Sequence, residues 1–153
     1  MFSPDDQPLL RRTLGRMDES WAAFRERAQA IPVEKLEARV GPDGWSLKQM
    51  LAHIWTWHDL TSDRLNRFAS SGQPTALESE TDAINARAAR TAGGRTTGEI
   101  LMGIDDSYRR LRREVARLTD AQLAADDAWA ATVLADNTYE HYAEHLPDFA
   151  AGK

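Results

Sequence analysis

The sequence predicts an all-α protein, a four-helix bundle whose helices run up-down-down-up with a long crossover between the second and third helices. Apolar residues recur at helical spacing in four long segments. No segment alternates between apolar and polar residues as a half-buried strand does, and Val and Ile are scarce. Helix-start signals built on Ser and Thr precede the segments. Because 153 residues suffice for one domain with a real core but not comfortably for two, we expect a single domain over residues 1–153.

The first helix is predicted over about residues 4–30. Ser3 precedes it as the N-cap, and Pro4 stands at the first helical position, where its missing N–H leaves no helical bond unmade. Pro32 ends the helix because proline cannot continue it. The apolar face consists of Leu10, Leu14, Met17, Trp21, Phe24 and Ala28.

The second helix is predicted over about residues 47–70. Ser46 and Gln49 form a capping box before it, in which each side chain satisfies the other's backbone N–H. The crossover at 71–96 contains Gly and Pro and a short predicted helix at 79–90. A helix of about 24 residues is roughly 36 Å long, and a crossover of this length can return along it. The second and third helices are therefore expected to be parallel.

The remaining two helices are predicted over about residues 97–118 and 130–150. Thr96 and Glu99 form a capping box before the third helix, and Thr119 and Gln122 form another ahead of the fourth. The third helix carries an Arg cluster at 109, 110, 112 and 113 with acidic residues around it, which we interpret as a solvated face.

Composition and charge narrow the class of protein. A net charge of −5 argues against nucleic acid or an anionic membrane as the main partner. The absence of cysteine rules out disulfides and thiolate metal ligands. The longest apolar run, AWAATVLA, is too short to span a bilayer, and no secretory signal is visible at the N-terminus. A cytoplasmic location is expected by default.

Three of the four histidines are candidate metal ligands. His141 and His145, in NTYEHYAEHLPDF, project from one side of a helix because each residue turns it by about 100°. That side also carries residues that indicate an inward orientation, namely Leu134, Thr138 and Phe149. In the predicted topology the early second helix lies beside the late fourth helix, which brings His53 to the same level. Three imidazoles would leave a coordination position open for substrate. The alternative is a set of buried histidines with hydrogen-bond partners and no metal.

Other polar residues near these positions have simpler interpretations. Asp59 and Tyr142 are candidate partners that orient an imidazole. Glu140 and Glu144 repeat the four-residue spacing and are predicted on a solvated face, with a Glu ligand in place of one histidine as an alternative. His58 is predicted on the surface or between helices. Trp45 precedes the capping box at the position of a hydrophobic staple against Met50 or its neighbours.

The segment GWSLKQMLAHIWTW, followed near the C-terminus by TYEHYAEH, resembles the DinB superfamily of four-helix-bundle proteins. That superfamily includes YfiT-like members and the N-terminal domain of mycothiol-dependent maleylpyruvate isomerase. The resemblance implies a zinc or nickel site held by His53, His141 and His145. A narrower similarity, to the DfsB/ClbS branch, is carried by TDAINAR, LTDAQL, Trp129 and NTYEHYAEHLPDF. Some members of that branch are implicated in hydrolysing reactive electrophiles.

The resemblance implies a metal-dependent enzyme of detoxification. In one chemistry the metal activates a low-molecular-weight thiol cosubstrate, such as mycothiol, bacillithiol or glutathione, for S-transfer or isomerisation of a small electrophile. In the other, an electrophile is hydrolysed. A homodimer is expected by the same analogy. The alternative that stays open is a non-catalytic small-molecule binding or structural homodimeric bundle without metal.

Overall fold

A computed structural model of the protein describes residues 6–39, 44–77 and 80–151. Within these ranges the chain is helical apart from turns and one isolated β-bridge between Arg39 and Ser46. The all-α class is therefore confirmed, whereas the up-down-down-up order of four long helices stays a prediction. The helices are α1 Pro8–Gln29, α2 Val33–Leu36, α3 Leu47–Ser71, α4 Thr81–Gly93, α5 Thr97–Ala116, α6 Asp120–Asn137 and α7 Tyr139–Ala151.

All three predicted capping boxes are confirmed. At the start of α3 the Ser46 hydroxyl accepts from the Gln49 backbone N–H at 3.1 Å, and the Gln49 side chain accepts from the Ser46 N–H at 2.8 Å. The same reciprocal pattern begins α5 at Thr96 and α6 at Thr119. Each cap satisfies backbone donors that a helix leaves unpaired and stabilises it by about 1 kcal/mol.

The start of α1 differs from its prediction. The predicted cap of Ser3 and Pro4 lies outside the described residues, and the helix begins at Pro8. The N–H groups of Leu9 and Leu10 donate to the carboxylate of Asp120 at 3.0 and 2.7 Å. A carboxylate is favoured at the positive end of a helix. The first residue of α6 therefore caps α1 and joins the two helix starts.

The prediction of one continuous helix over residues 130–150 is wrong. Thr138 separates α6 from α7 with φ −126° and ψ −104°, and its hydroxyl donates to the Leu134 carbonyl at 2.7 Å. A threonine hydroxyl that bonds the carbonyl four residues back can bend a helix, but it does not end one by itself, since Thr56 makes the same bond within α3. A second break precedes the predicted start, since residues 126–128 adopt positive φ. Helical backbone resumes just before Ala130, in agreement with the predicted start.

The core consists of two clusters of buried apolar side chains. One cluster surrounds Phe24, Leu51, Ile100 and Phe149, and the other surrounds Phe68 together with residues of α5 and α6. Helix α3 packs against α4, α5 and α6, while α1 packs against α7. This arrangement places the first half of α3 near α7, where the candidate site lies. Among the helices that the structure describes, none combines the length and the apolarity needed to cross a membrane.

Three of the four arginines in the α5 cluster, at 109, 110 and 112, form ion pairs. Arg112 pairs with Asp18 of α1 at 2.9 Å, and Arg110 pairs with Asp63 of α3. These pairs are half exposed, so each contributes little to stability. The side-chain hydrogen bond from Arg112 lowers the pKa of Asp18.

Candidate metal centre

The structure gathers three imidazole rings from two helices. His53 projects from α3, whereas His141 and His145 project from α7, and one nitrogen of each ring lies within 4.8 Å of the others. Nε2 of His53 and Nε2 of His141 are 2.8 Å apart. His53 and His141 are each 7% exposed, and His145 is half-buried. The three rings predicted from sequence to meet are thus brought together.

The proton on His53 is assigned by its neighbours. The indole N–H of Trp57 donates to Oδ1 of Asn85 at 2.8 Å, and an indole only donates, so the amide oxygen must face it. That same oxygen lies 3.1 Å from Nδ1 of His53. Nδ1 must therefore carry the proton, and Nε2 presents its lone pair toward the other two rings. Asn85 belongs to α4, so the crossover helix sets the orientation of a ring on α3.

The carboxylate of Asp148 orients His145 in the way that Asn85 orients His53. Its Nδ1 lies 3.4 Å from a carboxylate oxygen of Asp148, three residues later in α7. Because an ionised carboxylate only accepts, Nδ1 of His145 is the donor and Nε2 holds the lone pair. A carboxylate behind a histidine in this way fixes the ring of a metal ligand and raises its basicity.

His141 is kept neutral by its surroundings. Burial, together with the neighbouring imidazoles, lowers its pKa from 6.5 to about 2. Its Nδ1 has no hydrogen-bond partner among the described residues. Without a metal, Nε2–H of His141 would donate to the lone pair of His53 across the 2.8 Å contact. The ring is therefore neutral, as a metal ligand must be, and its hydrogen bonding is incomplete.

This set of donors fits a divalent ion. Three neutral imidazoles suit zinc and nickel, and three protein ligands leave a position open. Two nitrogens on one tetrahedral zinc at 2.0–2.1 Å would be about 3.3 Å apart. The rings of His53 and His141 would have to separate from 2.8 Å by a small rotation, with the metal replacing the proton between them.

A cavity of about 320 Å³ opens onto the three rings. Trp45 and Trp57 stand on its walls, with ring centroids 5.4 and 6.4 Å from that of His53. Trp45 packs against the cluster that contains Met50, as its staple position predicted. The cavity is lined further by Met50, Thr81, Asn85, Asn137 and Glu144. A larger hollow of about 610 Å³, between α1 and the junction of α5 and α6, is lined by none of the four histidines.

The fourth histidine forms a separate buried network. The Ser107 hydroxyl donates to the Ile104 carbonyl at 2.9 Å, so it can only accept from Nδ1 of His58, also at 2.9 Å. Nε2 of His58 therefore accepts from the Tyr142 hydroxyl at 2.6 Å. Burial lowers the pKa of His58 to about 3. His58 lies between helices, one of its two predicted positions, and outside the metal-site cavity.

The interpretation of Asp59 and Tyr142 as partners of the metal-site imidazoles is wrong. Tyr142 bonds His58, and Asp59 lies 3.6 Å from the guanidinium of Arg110. The residues that orient the rings are Asn85 and Asp148, which sequence reasoning did not select. Asp148 could have been found from its three-residue spacing to His145, since side chains so spaced are neighbours on a helix.

The two glutamates of α7 are both exposed, as predicted, but they differ in position. Glu140 is not among the residues that line the cavity, whereas Glu144 lines it beside His141 and His145. Neither belongs to the cluster of three ring nitrogens.

Comparison with known proteins assigns the family. Residues 16–150 match the family model of the DinB superfamily. No curated protein and no solved structure matches the chain. Because the matched segment covers most of the 153 residues, the chain belongs to the DinB superfamily.

Proposed function

We propose that the chain is a metal-dependent enzyme that acts on small electrophiles, with zinc or nickel held by His53, His141 and His145. The observation that carries the proposal is the convergence of three ring nitrogens within 4.8 Å at the floor of a cavity. A divalent ion with three neutral ligands keeps its full charge and lowers the pKa of a bound water or thiol.

The residues around the rings support a reaction rather than simple storage of an ion. Asn85 and Asp148 hold the Nδ1 protons of His53 and His145, which aims both lone pairs inward. Trp45 and Trp57 place apolar surface on the walls beside these rings. A small molecule that enters the cavity therefore meets an oriented set of donors beside apolar walls.

Two reaction classes fit this site, both in detoxification. In S-transfer or isomerisation, a low-molecular-weight thiol loses its proton to solvent and its sulfur bonds to the electrophilic carbon. In a transfer, the leaving group then departs with its bonding electron pair. In an isomerisation, the carbon–sulfur bond breaks again after the adduct has rearranged, and the thiolate departs with the bonding pair and is free to take up a proton. In hydrolysis, water replaces the thiol. The thiol must be a cosubstrate, because the chain has no cysteine.

We propose one domain in which the long helices form an up-down-down-up bundle, a homodimer, and a cytoplasmic enzyme whose partners are small molecules rather than nucleic acid or membrane. The packing of α1 on α7 and of α3 on α5 supports the bundle.

One observation favours a second candidate, a non-catalytic binding or structural bundle without metal. If Nε2 of His141 carries a proton, it donates to Nε2 of His53 across the 2.8 Å contact, and no metal is needed between the two rings. In that arrangement the rings would serve as buried polar residues of the α3–α7 contact. The two candidates differ in whether any metal-dependent reaction occurs.

A thiol-consumption assay tests the proposal. Protein loaded with zinc or nickel is mixed with a small thiol and a model electrophile such as 1-chloro-2,4-dinitrobenzene, and loss of free thiol is followed. A parallel reaction without thiol follows hydrolysis of an activated ester or epoxide. We expect acceleration in one reaction, abolished by a chelator and by His53→Ala but retained in Glu140→Gln. If the protein accelerates neither the thiol reaction nor the hydrolysis when zinc or nickel is supplied, the second candidate, a non-catalytic bundle, is favoured.

A further inference from the structure

Among the described residues, the cavity above the histidines is lined by apolar groups, neutral polar groups and one acid, and by no Lys or Arg. Among the described residues that line it, Glu144 is the side chain with a formal charge at neutral pH, and none is Lys or Arg. A carboxylate that entered this cavity would find no cationic side chain on its lining.

The aromatic walls of the cavity also favour neutral or cationic molecules over anionic ones. Trp45 and Trp57 flank His53, so any molecule that reaches the histidine floor passes beside indole rings. Indole faces favour flat apolar groups and attract cations, while their π electrons repel anions. The indole N–H of Trp57 donates to Asn85, so this donor is not available to an anionic ligand.

Glu144 adds a charge at the mouth. It is exposed, it immediately precedes His145 in α7, and it lines the same cavity as the three rings. A carboxylate at this position attracts a cationic substituent on a bound molecule and repels an anionic one. The interaction is moderated because the residue is exposed to water and salt.

We infer that the site selects its thiol and its electrophile by the charge of the part that does not react. It takes molecules whose body is apolar and either neutral or cationic, and it disfavours those that carry carboxylates. This inference rests on the proposed function, because it assumes that a thiol is held at the three histidines.

A matched series of three thiols tests the inference. The probes are benzyl mercaptan, 4-(aminomethyl)benzyl mercaptan and 4-(mercaptomethyl)benzoic acid, which share one reactive group and differ in tail charge. Binding to cobalt(II)-loaded protein is measured at low salt by calorimetry, and the sulfur-to-cobalt charge-transfer band reports whether sulfur reaches the metal. A bound thiolate would offset part of the metal's charge, and the tail of each probe would extend from the metal toward Glu144, so we expect the cationic thiol to bind about tenfold more tightly than the anionic one.

Two substitutions on α7 test whether the charge of Glu144 causes the difference in affinity. Glu144→Gln should reduce the ratio of the two affinities to within about threefold, since the charge at the mouth is gone. Glu140→Gln removes the same charge from the same helix outside the cavity, and it should leave the ratio unchanged.

The outcomes distinguish this inference from the function on which it rests. If the band appears with all three thiols and the affinities are equal, or if Glu144→Gln leaves their ratio unchanged, the charge selection is overturned and the metal-thiol function stands. If no thiol produces the band, both the thiol-dependent function and the inference are overturned.

Discussion

Zinc or nickel is expected to raise the midpoint of thermal unfolding, and His145→Ala is expected to abolish that rise. With free metal about 100-fold above its dissociation constant, binding stabilises the folded state by about 2.7 kcal/mol, or roughly 5–10 °C for a domain of this size. The unfolded chain loses the arrangement of the three rings, so it does not bind the ion equally well.

His145 is the suitable ligand to remove in this experiment. Its side chain is 14% exposed, whereas His53 and His141 are more deeply buried and bonded to each other. His145→Ala should therefore fold without metal and lose mainly the response to metal. Glu140→Ala, on an exposed position of the same helix, serves as the control and should respond as the unchanged protein does. An equal rise in His145→Ala would show that the metal binds elsewhere.

The free energy of unfolding is expected to fall steeply below pH 6.5, in part because of His58. Burial lowers the pKa of His58 in the folded state to about 3, while the unfolded chain takes up a proton near pH 6.5. The stability that the neutral ring provides is complete above pH 6.5 and is lost as the pH falls toward 3. At pH 5 the loss from this residue alone is about 2 kcal/mol.

Denaturant unfolding of His58→Gln at pH 7 and pH 5 measures this contribution. Gln removes the titration but keeps one donor and one acceptor for Ser107 and Tyr142. In the presence of a chelator, the decrease in unfolding free energy from pH 7 to pH 5 should be about 2 kcal/mol smaller in the variant. Carboxylates and the other histidines contribute to both proteins and cancel. An identical decrease in the two proteins would contradict a neutral, buried His58.

Much of the helical framework could be predicted because its signals are local. The Ser46, Thr96 and Thr119 capping boxes each depend on residues three apart, and each marks a helix start within a residue. The break at Thr138 could not be predicted from periodicity, since apolar spacing continues across it. The hydrogen bond from the Thr138 hydroxyl to the Leu134 carbonyl does not mark the break either, because Thr56 makes the same bond within the continuous helix α3.

The convergence of the three histidines was predictable from sequence, whereas the residues that orient their rings were not. His141 and His145 share a side of one helix by spacing alone, and His53 follows from placing two helices together. Asn85 lies on a crossover helix 32 residues from His53, and nothing in the local sequence marks it. His58 and Tyr142 show the opposite case, since two residues with suitable chemistry bond each other in the core instead of serving the site.

The central claim is that imidazoles from α3 and α7 hold one divalent ion. Anomalous diffraction at the zinc edge, from crystals grown with zinc, tests this claim most directly. We predict one strong peak in contact with Nε2 of His53, Nε2 of His145 and a ring nitrogen of His141, with the rings of His53 and His141 moved apart. Crystals that show no peak among these rings, and that retain the direct 2.8 Å contact between His53 and His141, would contradict the account.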